Sequence, residues 1–421
     1  MTVKMTTLAN GLRVISEGRE GLQTTAVGVW VDAGARYETV SNNGVAHMLE
    51  HMAFKGTESR SAQDIAVEIE SVGGHLNAYT SREHTAYFVR VLKEDLALSV
   101  DILADILQRS TFAEEELERE RTVVIQEIGQ SEDTPDDIIF DRLQEVSFPN
   151  QALGRSILGP VEGVANMGRE VLFDFMGQHY GASRLLLCAA GAVDHDDLVA
   201  LAERNFGGLR PGAHNPFETA IFQGGEQRDE RDLEQVHFAL ALPALTYDDD
   251  DFYPMQVMST VLGGGMSSRL FQEVRERRGL CYSIFCFASS YKDCGAFSVY
   301  AGTGVDQIGE LVPVICDEML RLSGDVAEDE VARARNQLKA GTLMSLESSA
   351  ARVEQLARQT LVFGRQIPID ELIAKIDAVD AAAVRRVAGR ITGMGNPAVA
   401  ALGPIAGLAS QAEIAARFAK G

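Results

Sequence analysis

The segment HMLEHMAFKGT, His47 to Thr57, sets two histidines and a glutamate in otherwise apolar sequence. SNNG at 41–44 supplies cap and turn residues, and Lys55-Gly56 supplies a C-terminal signal, so VAHMLEHMAF is predicted to be a short helix. His47 and His51 then stand at i and i+4 on one face, with Glu50 at its edge. Val45, Ala46, Met48, Leu49, Met52, Ala53 and Phe54 make the helix apolar on nearly every side, so it is expected to be buried. Burying three polar groups together is costly unless they share a partner. Two hydrogen-bonded core histidines with Glu50 as acceptor would be one solution. Two imidazoles one turn apart beside a carboxylate also suit a zinc ion, with the histidines as ligands and the glutamate taking a proton from water. Such a site needs a third protein ligand and an open position.

Candidates for that ligand come from an internal repeat. Thr111–Glu127 (TFAEEELERERTVVIQE) and Asp325–Gly341 (DVAEDEVARARNQLKAG) share the skeleton A-E-x-E-[LV]-x-R-x-R, and each is predicted to open a helix with Thr111 or Asp325 as N-cap. Between the two copies Glu120 aligns with Ala334 and Glu127 with Gly341, positions that lie on one helix face. Glu114, Glu115, Glu116 and Glu118 are expected to be a solvated face. Glu120 and Glu127 both remain open as the third ligand.

A second pair of segments repeats in the same order: strand RLLLCAAGAV (184–193) and helix DHDDLVALAERNF against strand PAVAALGPI (397–405) and helix SQAEIAARF. Gly, Pro and charge collect between the halves, in the composition of a linker. The expected organisation is residues 1–208, a linker 209–232, and 233–421. Strands flank an Asn10-Gly11 turn, then come a strand in TTAVGVWVDAG, the His47 helix, a strand LNAYTSREHTAYFVRV and several helices. The predicted class is α+β, two similar halves each a mostly antiparallel sheet with helices packed on one face.

A formal charge of −23, from 61 acidic against 38 basic residues, argues against nucleic acid as a partner. Such a field would favour cationic ligands, among them basic peptides, or it is simply a solvated acidic surface that keeps the protein in solution. No apolar run reaches the length of a membrane span, and the N-terminal MTVKMTTLANGLRV lacks the apolar core of a signal peptide, so a cytoplasmic chain without membrane association is expected. The five cysteines, an odd number with no C-x-x-C pair, are expected to be reduced, buried thiols.

H-x-x-E-H is the inverzincin order, the reverse of H-E-x-x-H. With the following F-x-G-T, the distant ERERTVVIQEI and GGHLNAYTSREHTAYFV, the sequence resembles the pitrilysin-type zinc peptidases, specifically the mitochondrial processing peptidase branch. The resemblance implies a zinc-dependent endopeptidase with one zinc per chain. His47, His51 and Glu127 would be ligands, Glu50 the general base, and Glu120 a support behind the ligands. Asn77 and Ala78 would be main-chain contacts on an edge strand that takes an extended substrate. In LFQEVRERRGLCYS it implies Arg275 and Tyr282 as a substrate-binding pair that helps stabilise the tetrahedral intermediate. Zinc motif and Arg/Tyr pair stand in one chain, which suggests a homodimer similar to bacterial single-gene relatives. The competing expectation is a noncatalytic core subunit or peptide-binding module of the same fold.

Overall fold

The computed structural model describes residues 2–213 and 216–419; His214 and Asn215, inside the expected linker, lie outside the described residues, as do the chain ends. The chain forms two compact units. One comprises residues 1–129, 155–218 and 344–366, and the other 130–154, 219–343 and 367–421. These units do not coincide with the sequence division at 209–232, because each takes in a helix from the other half of the chain.

The first unit is built on a six-stranded sheet, β1 (Val3–Thr7), β2 (Arg13–Gly18), β3 (Thr24–Val31), β4 (His75–Thr80), β5 (Thr85–Leu92) and β6 (Leu185–Gly191), in the order β1-β2-β6-β3-β5-β4. Only β2 and β6 pair in parallel. The central strand β3 is sandwiched, and its alternation shows why. Val27, Val29 and Val31 enter the larger core, whereas Ala26 and Trp30 enter a second core on the other face. Gly28 makes room for both aromatic neighbours, since a Cβ there would meet Phe88 Cβ and Trp30 Cζ3 at 2.8 Å. Helices α1 (Val45–Met52), α2 (Ala62–Ser71) and α3 (Leu96–Gln108) pack on the first face with the front of α4 (Glu114–Glu132). A helix far along the chain, Ser349–Phe363, covers the second with Val353, Leu356 and Ala357. The stretch LNAYTSREHTAYFVRV is a hairpin rather than one strand. The Ser81–His84 turn, in which the Ser81 hydroxyl donates to the His84 carbonyl at 2.7 Å, folds β4 back on β5.

The second unit repeats this plan with β7 (Gly225–Glu230), β8 (Val236–Pro243), β9 (Cys281–Ser290), β10 (Gly295–Thr303) and β11 (Ala398–Gly403), ordered β7-β11-β8-β10-β9. Its one parallel pair, β7 with β11, matches β2 with β6. β7 shows that part of the expected linker is a strand. The helix α5 (Pro135–Ser147) covers this sheet's second face through Ile138, Ile139 and Leu143.

The predicted caps of the paired helices move by two residues. α4 starts at Glu114 and its counterpart at Glu328, so Ala113 and Ala327, not Thr111 and Asp325, stand at the Ncap positions. The residues between, Phe112 and Val326, are 2% and 3% exposed, and driving them into the cores delays both helix starts; Phe112 turns to φ 42° to do so. None of the five cysteines is in a disulfide; Cys188, Cys286 and Cys316 are buried, and Cys281 and Cys294 are half-buried. Among the described residues no helix is long and apolar enough to cross a membrane.

Candidate active site

Helix α1 begins where Gly44 takes φ 96°, a conformation that favours glycine and leaves no room for a Cβ, which would lie 2.8 Å from the Leu158 carbonyl oxygen. The predicted Ser and Asn caps do not hold its first turn. Glu38 does: its carboxylate accepts from Gly44 N, Ala46 N and Asn43 Nδ2, each at 2.8 Å. Burial pushes the Glu38 carboxyl up to about 7 against these three hydrogen bonds. After α1 the chain is pinned by Asp105 of α3, fully buried, which accepts from Thr57 Oγ1 at 2.7 Å and Arg60 Nη1 at 2.9 Å. The helix carrying the histidines is thus anchored at both ends.

His47 and His51 lie on one face with ring centroids 4.7 Å apart. Glu127, from α4, brings Oε2 to 3.6 Å from His47 Nε2 and 3.4 Å from His51 Nε2. These separations are long for hydrogen bonds. They match the edge of a tetrahedron of ligands about zinc, about 3.3–3.4 Å for bonds of 2.0–2.1 Å. Among the described residues this is the one group of three His, Cys, Asp or Glu side chains whose ligand atoms converge. Burial, and then the neighbouring His51, pushes the His47 imidazole down to about 4, which keeps it in the neutral form that ligates a metal. The residues fit a zinc ion.

Glu120, about two helical turns before Glu127 and 5% exposed, does not join the cluster. It stands behind it. Its Oε1 is 2.6 Å from Lys55 Nζ and its Oε2 is 2.9 Å from His51 Nδ1. A carboxylate oxygen facing Nδ1 accepts from it, so Nδ1–H is the donor of this pair and the Nε2 lone pair is directed to the cluster. Of the two glutamates left open by the repeat, the geometry places Glu127 among the converging atoms and Glu120 behind. Glu50, beside His51, accepts from Thr80 Oγ1 at 2.6 Å. Burial raises its carboxyl, and the Thr80 bond opposes that rise.

Thr80 ends β4, which carries Asn77 and Ala78 and is the last strand of its sheet, so its outer side pairs with no described strand. The His47, Glu50, His51, Asn77, Ala78, Glu120 and Glu127 positions therefore all belong to one unit. Arg275 and Tyr282 form a separate pair in the other. The Arg275 guanidinium lies 4.6 Å from the Phe271 ring centroid and 5.1 Å from that of Tyr282, whose side chain is 75% exposed. Its neighbours Arg277 and Arg278 pair with Glu273, whereas Arg275 has no ion pair among the described residues. Sequence reading missed Glu38, Lys55 and Thr80. For Lys55 the signal was present, an i+4 cation after His51.

Residues 13–161 match the family described as Insulinase (Peptidase family M16), and residues 166–338 match the Peptidase M16 inactive domain. The mitochondrial-processing peptidase subunit beta of Mus musculus is 44% identical over 415 residues, covering 96% of this chain and 84% of that protein. An uncharacterized zinc protease of Streptomyces coelicolor is 38% identical over 414 residues, covering 96% of this chain and 90% of that protein. The crystal structure of a protease from Helicobacter pylori shares the fold, with a TM-score of 0.90 at 22% identity, covering 96% of this chain and 99% of that one. The chain belongs to peptidase family M16, a family of metallopeptidases. The insulinase match contains the whole histidine–glutamate cluster, and the inactive-domain match contains Arg275 and Tyr282.

Proposed function

We propose that the chain is a zinc-dependent endopeptidase acting on unfolded peptides or extended segments. The observation that carries this reading is the convergence of His47 Nε2, His51 Nε2 and Glu127 Oε2 at tetrahedral spacing beside Glu50. His47, His51 and Glu127 would hold the metal, one per chain. When bound, zinc supplies Lewis acidity to the scissile carbonyl and to water.

The rest follows from the protein's own groups. Glu50 acts as general base, taking a proton from the attacking water and passing it to the leaving amine. Glu120 fixes the His51 tautomer. The free side of β4, at Asn77 and Ala78, takes the substrate main chain as an added strand, which selects extended segments and leaves cleavage preference to side-chain contacts. Arg275 and Tyr282 are substrate contacts. The negative charge of the chain favours basic peptides, and the working form is a homodimer, as the presence of both functional parts in one chain suggests. The complete His47, Glu50, His51 and Glu127 set supports an enzyme over a noncatalytic scaffold, which has no need of such a cluster. Zinc analysis paired with peptide cleavage before and after chelation tests the proposal. Stoichiometric zinc and chelator-sensitive cleavage are expected, and zinc-free protein that cleaves at the same rate would overturn it.

A further inference from the structure

General bases depend on placement as well as basicity, and Glu50 is held by something other than its own helix. In a strand, successive side chains point to opposite faces. On β4, Leu76 and Ala78 pack toward the core that holds α1, whereas Tyr79 packs toward the opposite core. There the Tyr79 hydroxyl donates to Glu354 Oε1 at 2.5 Å, and Trp30 Nε1 donates to the other Glu354 oxygen at 3.3 Å. Glu354 belongs to the helix Ser349–Phe363, so the end of β4 is pinned from behind. Thr80, the next residue, faces the other way and meets Glu50. Its hydroxyl is 2.6 Å from Glu50 Oε2 and 3.4 Å from the Ala46 carbonyl, so the carboxylate is the closer and stronger acceptor.

We infer that Thr80 is a positioning residue for Glu50, its hydroxyl fixing the carboxylate in the rotamer that sits beside His51 and Glu127. This inference rests on the peptidase reading above. A hydroxyl on the strand that also receives substrate ties the base to the bound peptide, so base and scissile bond keep a common frame. Near-attack geometry is sensitive to displacement of about 1 Å.

Thr80→Val removes the hydroxyl and keeps the β-branched shape that a strand favours. Thr80→Ser restores the donor. For each variant the zinc content, kcat and KM on an internally quenched, arginine-containing peptide, and a crystal structure would be obtained. Thr80→Val should hold as much zinc as wild type, keep KM within about twofold, lose roughly 10- to 100-fold in kcat, and show the Glu50 carboxylate in a new or divided rotamer. Thr80→Ser should recover most of the kcat. Thr80→Val with unmoved Glu50 and wild-type kcat would overturn the inference. So would Thr80→Ser as impaired as Thr80→Val, or a loss in KM or zinc content in place of kcat, since each marks a structural role. Wild-type protein that binds zinc yet cleaves no peptide would instead defeat the peptidase reading, and the Thr80 inference would then be decided by the Glu50 rotamer alone.

Discussion

Helix α4 and its counterpart Glu328–Ser345 share a sequence skeleton and a core contact, Leu117 in one and Val331 in the other, both fully buried. They part at the next inward position. Glu120 is a carboxylate at 5% exposure, and Ala334 is a methyl group at 2%. The fold is satisfied by alanine there, so the buried acid with its Lys55 and His51 partners is a feature of the site and not a demand of packing. The helix starts differ in the same way. Glu38, which caps α1, is buried among backbone and amide donors, whereas Asp251 and Asp249, beside the helix Phe252–Gly263, pair with Arg386 and Arg390. That helix contains no histidine or acidic residue. One copy of the duplicated plan concentrates charge around a helix; the other neutralises it with arginine at the surface.

The sharpest break comes from Glu50→Gln, which leaves the converging atoms in place and removes the base. Cleavage should fall on the order of 10²- to 10⁴-fold with zinc content unchanged. A variant that keeps zinc and near wild-type cleavage would show that the base lies elsewhere. Next, the two helices can be exchanged at their point of difference. Ala334→Glu buries an unpartnered acid, and denaturant unfolding should show a loss of roughly 3–5 kcal/mol. Glu120→Ala should weaken zinc binding about 10- to 100-fold in chelator competition. If zinc affinity is untouched, the contrast between the helices has nothing to do with metal.

Tyr282→Phe sharpens the comparison from the other unit. Loss of one hydrogen bond to substrate should lower kcat/KM by about tenfold with zinc content unchanged. The smallest effect is on the pH dependence of stability. Glu38 has a folded pKa of about 7, raised from 4.5, so its stabilising contribution is full below pH 4.5 and is lost as pH rises through 7. Asp249 is shifted down from 3.8, chiefly by its Arg390 hydrogen bond, so its contribution is present above that value and lost on acidification. Site-resolved hydrogen exchange should therefore show residues around α1 losing protection as pH rises from about 4.5 through about 7, and residues around Asp249 losing it only in acid. Parallel behaviour of both regions would remove the electrostatic half of the comparison.

Much of the site was legible because its spacing is local. His47, Glu50 and His51 fall within one helical turn, and the apolar residues around them announce burial. Glu120 and Glu127 became visible only by setting one repeat against the other, since in isolation they merge into an acidic helix. The repeat alone could not separate their roles, because which carboxylate reaches the histidines depends on how two helices cross; only the family resemblance distinguished Glu127 as ligand from Glu120 behind it. Glu38 and Thr80 left no pattern: each acts through a contact set by the turn before a helix or the end of a strand. The hairpin at Ser81–His84 was hidden by a turn with neither Gly nor Pro. The late helix starts at α4 and its counterpart were hidden because cap preference yields to burial of Phe112 and Val326.

The placement of Ser349–Phe363 against the first unit's sheet has a consequence for synthesis. The face bearing Trp30, Leu186 and Cys188 is completed only by Val353, Leu356 and Ala357. A ribosome that has finished β6 must still translate through residue 363 before that covering helix exists, on the order of ten seconds or more at 5–20 residues per second. Throughout that interval the nascent chain carries a bare apolar sheet, the state most prone to adhesion between neighbouring chains on a polysome. Stalling translation after residue 208 should therefore give a product that is retained by chaperones and sensitive to protease, whereas stalling beyond residue 366 should release the first unit from both.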